Sequence, residues 1–104
     1  MIAYEKELAY KKETMPPNSI GIGETHYNIG AVLFDLNIYD KALENYEISL
    51  NIFKESLPSN HYKLADTLNN MGTTQAKLCE YDRSIRSLEE ALKIYRDILS
   101  ANHT

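Results

Sequence analysis

The chain has a single cysteine, Cys79, so it can form no internal disulfide, and the sequence reads as that of a protein kept in the reducing cytosol. It has no basic stripe. Eleven lysines and arginines stand against 15 acids spread along the chain, giving a net charge of −4 and a poor match to nucleic-acid phosphates. No apolar run approaches the length of a membrane span. The segment from Met1 to Leu8 is interrupted by charge every two or three residues, which is unlike the apolar centre of a signal peptide. Prolines number three, all in two short stretches around Pro16-Pro17 and Pro58, and no strand-like pattern competes with the helical ones. At 104 residues and 43% hydrophobic, the chain has the makings of one domain with a modest core, and it is short for an enzyme with its own buried site.

What the chain does have is itself, twice. Displaced by 42 residues, 24–62 aligns with 66–104, and 12 of the 39 pairs are identical. Among them are Thr25/Thr67, Asn28/Asn70, Gly30/Gly72, Tyr39/Tyr81, Asp40/Asp82, Leu50/Leu92, Asn60/Asn102 and His61/His103. An internal repeat of this period is the signature of a stacked array in which each unit buries its apolar face on its neighbours.

Within each unit the apolar residues fall at helical spacing. Ile22, His26, Ile29, Leu33 and Leu36 line one face of a helix expected over 20–36, and Leu43, Tyr46, Leu50, Phe53 and Leu57 line the next over 40–56. Asp40 sits where the positive end of that second helix favours an acid. The second unit repeats the rhythm with Leu64, Leu68, Met71, Gln75 and Leu78, then Ile85, Leu88, Leu92, Tyr95 and Leu99. Residues 1–14 align with the second helix of the following unit, which predicts five helices, antiparallel neighbours joined by short loops. Mid-helix glycine costs about 1 kcal/mol relative to alanine, so Gly30 and Gly72 at one register point to close helix crossings.

Three constellations invite chemistry and each has a plainer reading. Gly21-Ile22-Gly23 lacks the third glycine and the preceding strand of a dinucleotide loop, and it reads as a helix entry where Gly23 permits close packing. His26, His61, His103 and Cys79 show no metal-ligand spacing, and His61 and His103 are one linker position seen twice. The many acids form no arrangement that singles out a nucleophile and its base. No cofactor, metal or catalytic residue is therefore expected.

A small residue midway along the first helix, a turn, then aromatic-x-x-small opening the second resembles the tetratricopeptide repeat. Gly30, Tyr39, Ala42 and Tyr46 carry the resemblance in one unit, and Gly72, Tyr81, Ser84 and Ala91 in the other. The family's usual period is roughly 34 residues. The longer period here, with Thr67-Leu68-Asn69-Asn70-Met71-Gly72 and the Leu57-to-His61 linker, is similar to the long-helix variety of kinesin light chains. HEAT and armadillo arrays share a period near this one and do not predict the aromatic-x-x-small opening. The family usually has glycine at the turn between its helices, where Asn37 and Cys79 stand here. Asparagine tolerates a left-handed backbone and cysteine does so poorly, which predicts a looser or differently shaped second turn.

The resemblance implies an all-α, right-handed helical-hairpin solenoid with the second helix of an incomplete repeat plus linker at 1–19 and repeats at 20–61 and 62–104. It implies a protein–protein interaction scaffold without catalysis, binding a peptide in a concave groove lined by the first helices. The groove positions are Glu24, Tyr27, Asn28, Ala31 and Asp35 in one unit and Asp66, Asn69, Asn70, Thr73 and Lys77 in the next, with Asn28 and Asn70 as backbone clamps because an amide both donates and accepts. Glu24 and Asp66 make one lip acidic, so the expected peptide carries lysine or arginine; nucleic acid and membrane are not expected partners. The alternative is a spacer or oligomerisation segment of a larger protein. With two and a half units, and Ile94 and Ile98 expected to await a further repeat, the chain reads as part of a longer array, or as one whose copies pair through their ends.

Overall fold

The computed structural model describes residues 20–101. Four α-helices follow one another, α1 (Ile20–Asp35), α2 (Tyr39–Ser56), α3 (Tyr62–Lys77) and α4 (Tyr81–Ala101), with no strand among the described residues. Five helices were expected. The remaining one falls on residues 1–19, outside the described residues. Each helix packs on the next in sequence, α1 on α2, α2 on α3 and α3 on α4, so two helical hairpins lie side by side.

The turns inside the two hairpins are alike, and both correct the expectation of a divergent second turn. Asn37 and Cys79 each adopt φ 63°. In both, the next amide reaches back five residues, Ile38 N–H to the Leu33 carbonyl at 2.9 Å and Glu80 N–H to the Gln75 carbonyl at 2.8 Å. This closes the helix end in the manner of a Schellman cap. Even the side chains repeat, since the tyrosine two residues on donates to the left-handed residue, Tyr39 Oη to Asn37 Oδ1 at 2.8 Å and Tyr81 Oη to Cys79 Sγ at 3.6 Å. Cysteine is held there by backbone bonds on either side, at a conformational cost of roughly 1–2 kcal/mol that the surrounding turn offsets.

The linker between hairpins ends on His61, whose extended backbone and imidazole cap α3: Nδ1 accepts from the Lys63 amide at 3.1 Å. That gives His61 a structural role; its counterpart His103 lies outside the described residues. Asp40 and Asp82 occupy the first turns of α2 and α4, where the helix dipole favours them.

The glycines mark the crossings inside each hairpin. A Cβ on Gly30 would lie 2.9 Å from the Tyr46 ring, one on Gly23 2.8 Å from the Phe53 ring, and one on Gly72 2.6 Å from Leu88 Cγ. At the second crossing Ser84 also donates its hydroxyl to the Gly72 carbonyl at 2.7 Å, a buried bond between α3 and α4 that alanine could not make.

The core collects Ile29, Leu33, Leu43, Tyr46, Leu50, Phe53, Leu64, Leu68, Met71 and Ala91, largely as the helical spacing predicted. Leu36 departs from it: α1 ends at Asp35, and Leu36 turns outward with 56% of its surface exposed. On α4 the departure is larger. Ile85 and Leu92 are 53% and 54% exposed, whereas their counterparts Leu43 and Leu50 are each 7% exposed. The reason is positional, because α2 lies between α1 and α3, while α4 has a packed neighbour on one side only among the described residues. Ile94, expected to be uncovered, packs against the core instead, and Ile98 is half-buried.

Candidate functional site

The first helices of the two hairpins, α1 and α3, both pack on α2 and leave a trough between them. Two cavities of about 280 and 210 Å³ lie along it, the first bordered by Glu24, Tyr27, Asn28, Tyr62, Lys63 and Asp66 and the second by Ala31, Phe34, Asp35, Asn70 and Thr73. Phe53 and Tyr46 of α2 complete their walls. The 42-residue offset explains why both helices contribute equivalent positions: α1 and α3 occupy the same place in successive units.

Side chains cross the trough at two points. Lys63 of α3 forms a hydrogen-bonded ion pair with Glu24 of α1. Further along, Asn70 Nδ2 donates to Tyr27 Oη at 2.7 Å, and the Tyr27 ring meets Tyr46 edge-on at 5.7 Å between centroids. Asp66 is held from the other direction, accepting a hydrogen bond from Tyr95 Oη of α4. His26 lies on the α1–α2 contact, its Nδ1 2.9 Å from Asn45 Oδ1. Since Asn45 Nδ2 already donates to the Lys41 carbonyl, the proton of that bond belongs to the imidazole.

The electrostatics follow from this packing. The hydrogen bond to Glu24 raises the Lys63 pKa above its ordinary value against the opposing effect of burial. Burial pushes the Tyr27 phenol up, with the Asp66 charge adding to it. Burial likewise carries Tyr46 to about 12, helped by Tyr27 and Asp35 nearby. These tyrosines are neutral structural groups at physiological pH, suited to hydrogen bonding and ring contact.

A family model described as tetratricopeptide repeat matches residues 21–97. The chain belongs to the tetratricopeptide repeat family. A search among curated proteins finds no match. No helix among the described residues is long and apolar enough to cross a membrane. As a tetratricopeptide repeat protein it has a family whose general role is protein–protein interaction, and each of its two helical hairpins is one repeat unit.

Eight of the ten expected groove residues border the trough of this repeat pair, four at each cavity. Glu24, Tyr27, Asn28 and Asp66 border the first cavity, and Ala31, Asp35, Asn70 and Thr73 the second. Asn69 and Lys77 are exposed on α3 and border neither. The two asparagines differ in kind: Asn28 is exposed, whereas Asn70 is half-buried with its amide committed to Tyr27. Lys63, Phe53 and Tyr62 were not anticipated. Lys63 and Glu24 are 39 residues apart in sequence, and Phe53 belongs to the second helix of its unit, so helical spacing within the first helices carries no signal for either.

Proposed function

We propose that the chain is a cytosolic scaffold that binds an extended peptide segment of another protein along the trough between α1 and α3 and catalyses no reaction. The observation that carries this reading is the pair of cavities in line along the trough, bordered by equivalent polar positions of both repeats. Asn28 offers an amide that both donates and accepts, Asn70 offers its carbonyl oxygen, and a bound strand's backbone needs both kinds of partner. Glu24, Asp35 and Asp66 against Lys63 leave the trough acidic, which favours a basic peptide.

The test is capture from cytosol by the wild-type chain and by an Asn28→Ala, Asn70→Ala variant of equal helicity. Partners lost only from the variant support the trough as the binding surface, and identical capture by both rejects it. A second reading rests on α4, where Tyr81, Ile85, Leu88, Leu92 and Leu99 form an exposed apolar stripe. Leu43 and Leu50, the counterparts of Ile85 and Leu92, are buried on α2, which packs on α3 as well as on α1, so α1 of a second copy is a helix of the right kind to cover the stripe. Sedimentation showing that Leu92→Glu turns an associating chain into a monomer supports this; a wild-type monomer over a wide concentration range rejects it.

A further inference from the structure

We propose that the first cavity of the trough is a seat for one arginine or lysine side chain of the bound peptide, and that Lys63 holds this seat in the free protein. The seat presupposes the peptide-binding reading above and adds a place and a chemistry to it.

The Lys63 ammonium bonds the Glu24 carboxylate and lies 5.8 Å from the centroids of both the Phe53 and Tyr62 rings. A cation between aromatic faces and a carboxylate is the arrangement by which proteins recognise cationic side chains, and at this distance the ring quadrupoles attract it. Here the occupant comes from the chain itself.

The cavity is nevertheless short of positive charge. Its border includes two carboxylates, Glu24 and Asp66, and one ammonium, Lys63. Asp66 has no cation within ion-pair distance among the described residues; it accepts from Tyr95, which fixes one of its oxygens and leaves the group at the cavity wall. One more cation makes the site neutral. Tyr27 and Tyr62 add ring surface to the border, which suits the flat guanidinium of arginine above the compact ammonium of lysine. About 280 Å³ of space beside a lysine already in place leaves room for a guest head group.

Lys63 and the guest then compete for the same two carboxylates. Removing Lys63 raises the negative charge that the guest sees, so Lys63→Met strengthens binding of a cationic guest, whereas Asp66→Asn weakens it. The amide that Asp66→Asn introduces still accepts from Tyr95 through its oxygen, which keeps the α3–α4 contact in place.

The probe is a serine–glycine heptapeptide with a central arginine, compared with its glutamine counterpart in an NMR titration that follows individual backbone amides at low salt. The expected result is that the arginine peptide binds at least about fivefold more tightly. Its shifts centre on Tyr27, Lys63 and Asp66; Lys63→Met widens the preference and Asp66→Asn brings it within about twofold. Equal binding of the two peptides, with shifts along Asn28, Asn70 and Thr73, overturns the cation seat and leaves the trough standing. A preference that survives Asp66→Asn or shrinks in Lys63→Met also overturns it. No shift with either peptide overturns both the seat and the peptide-binding reading.

Discussion

Replacing Gly30 or Gly72 with alanine tests whether equivalent crossings in the two repeats are equally confined. Each substitution gains about 1 kcal/mol of helix propensity. Against that stands the new methyl group. At Gly30 it falls 2.9 Å from Cδ1 and Cε1 of Tyr46 and 3.1 Å from Cζ. The ring must retreat by about 0.5 Å to reach ordinary contact, yet Tyr46 is 2% exposed and braced edge-on by Tyr27. Overpacking of this kind costs about 1–3 kcal/mol, which leaves a net loss of about 1 kcal/mol. At Gly72 the clash is nominally worse, 2.6 Å to Leu88 Cγ, but Leu88 is 38% exposed and turns about χ1 towards solvent. The Ser84 carbonyl at 3.3 Å asks for only a small adjustment, so the net change there is about zero. Thermal and urea unfolding followed by circular dichroism should place Gly30→Ala about 1 kcal/mol, or roughly 4–8 °C, below Gly72→Ala. A Gly72→Ala variant less stable than Gly30→Ala refutes this reasoning, as does a gain of the full propensity increment by both.

Cys79→Gly relieves a left-handed cysteine and should raise stability by about 0.5–1 kcal/mol, with a smaller gain for Asn37→Gly because asparagine tolerates that backbone; thermal melts of the two variants decide it. Ser84→Ala removes the buried bond to the Gly72 carbonyl and should cost about 0.5–1.5 kcal/mol in chemical denaturation. Alkaline titration should leave Tyr46 and Tyr95 ionising late. Burial first, with Tyr27 and Asp35 at Tyr46 and the Asp66 hydrogen bond at Tyr95, carries both to about 12. Their folded pKa values exceed the ordinary value of 10, so their contribution to stability is fully present below pH 10 and lost as pH rises towards about 12. Near-ultraviolet absorbance alongside circular dichroism checks this, and ionisation of Tyr46 and Tyr95 near pH 10 while the chain is still folded contradicts it.

Much of the architecture was legible because it depends on local periodicity repeated. Helical spacing located α1 and α2 within a residue and placed α3 and α4, and the paired glycines at one register announced the crossings that Tyr46 and Leu88 fill. Half of the trough was legible for the same reason, since Glu24, Asn28, Asp66 and Asn70 share first-helix positions. Lys63 escaped because its meaning lies in Glu24, on a helix of the other repeat, and in the Phe53 ring beneath. Cys79 misled because residue preference at an isolated turn is weaker than the two back-reaching amides that close it.

The sequence by itself determined the repeat, the helical state of each segment and which face of each helix is apolar, since these follow from spacing along one chain and from the cost of leaving apolar surface in water. It did not determine which apolar faces are covered. Leu50 and Leu92 are the same residue at the same register, and one is buried while the other is exposed, because among the described residues α2 has packed neighbours on both sides and α4 on one only. Nor did it determine that Asn70 commits its amide to Tyr27, or that Lys63 closes on Glu24. Those partners meet only when two helices are set side by side on a third, and their separation in space is a property of that packing.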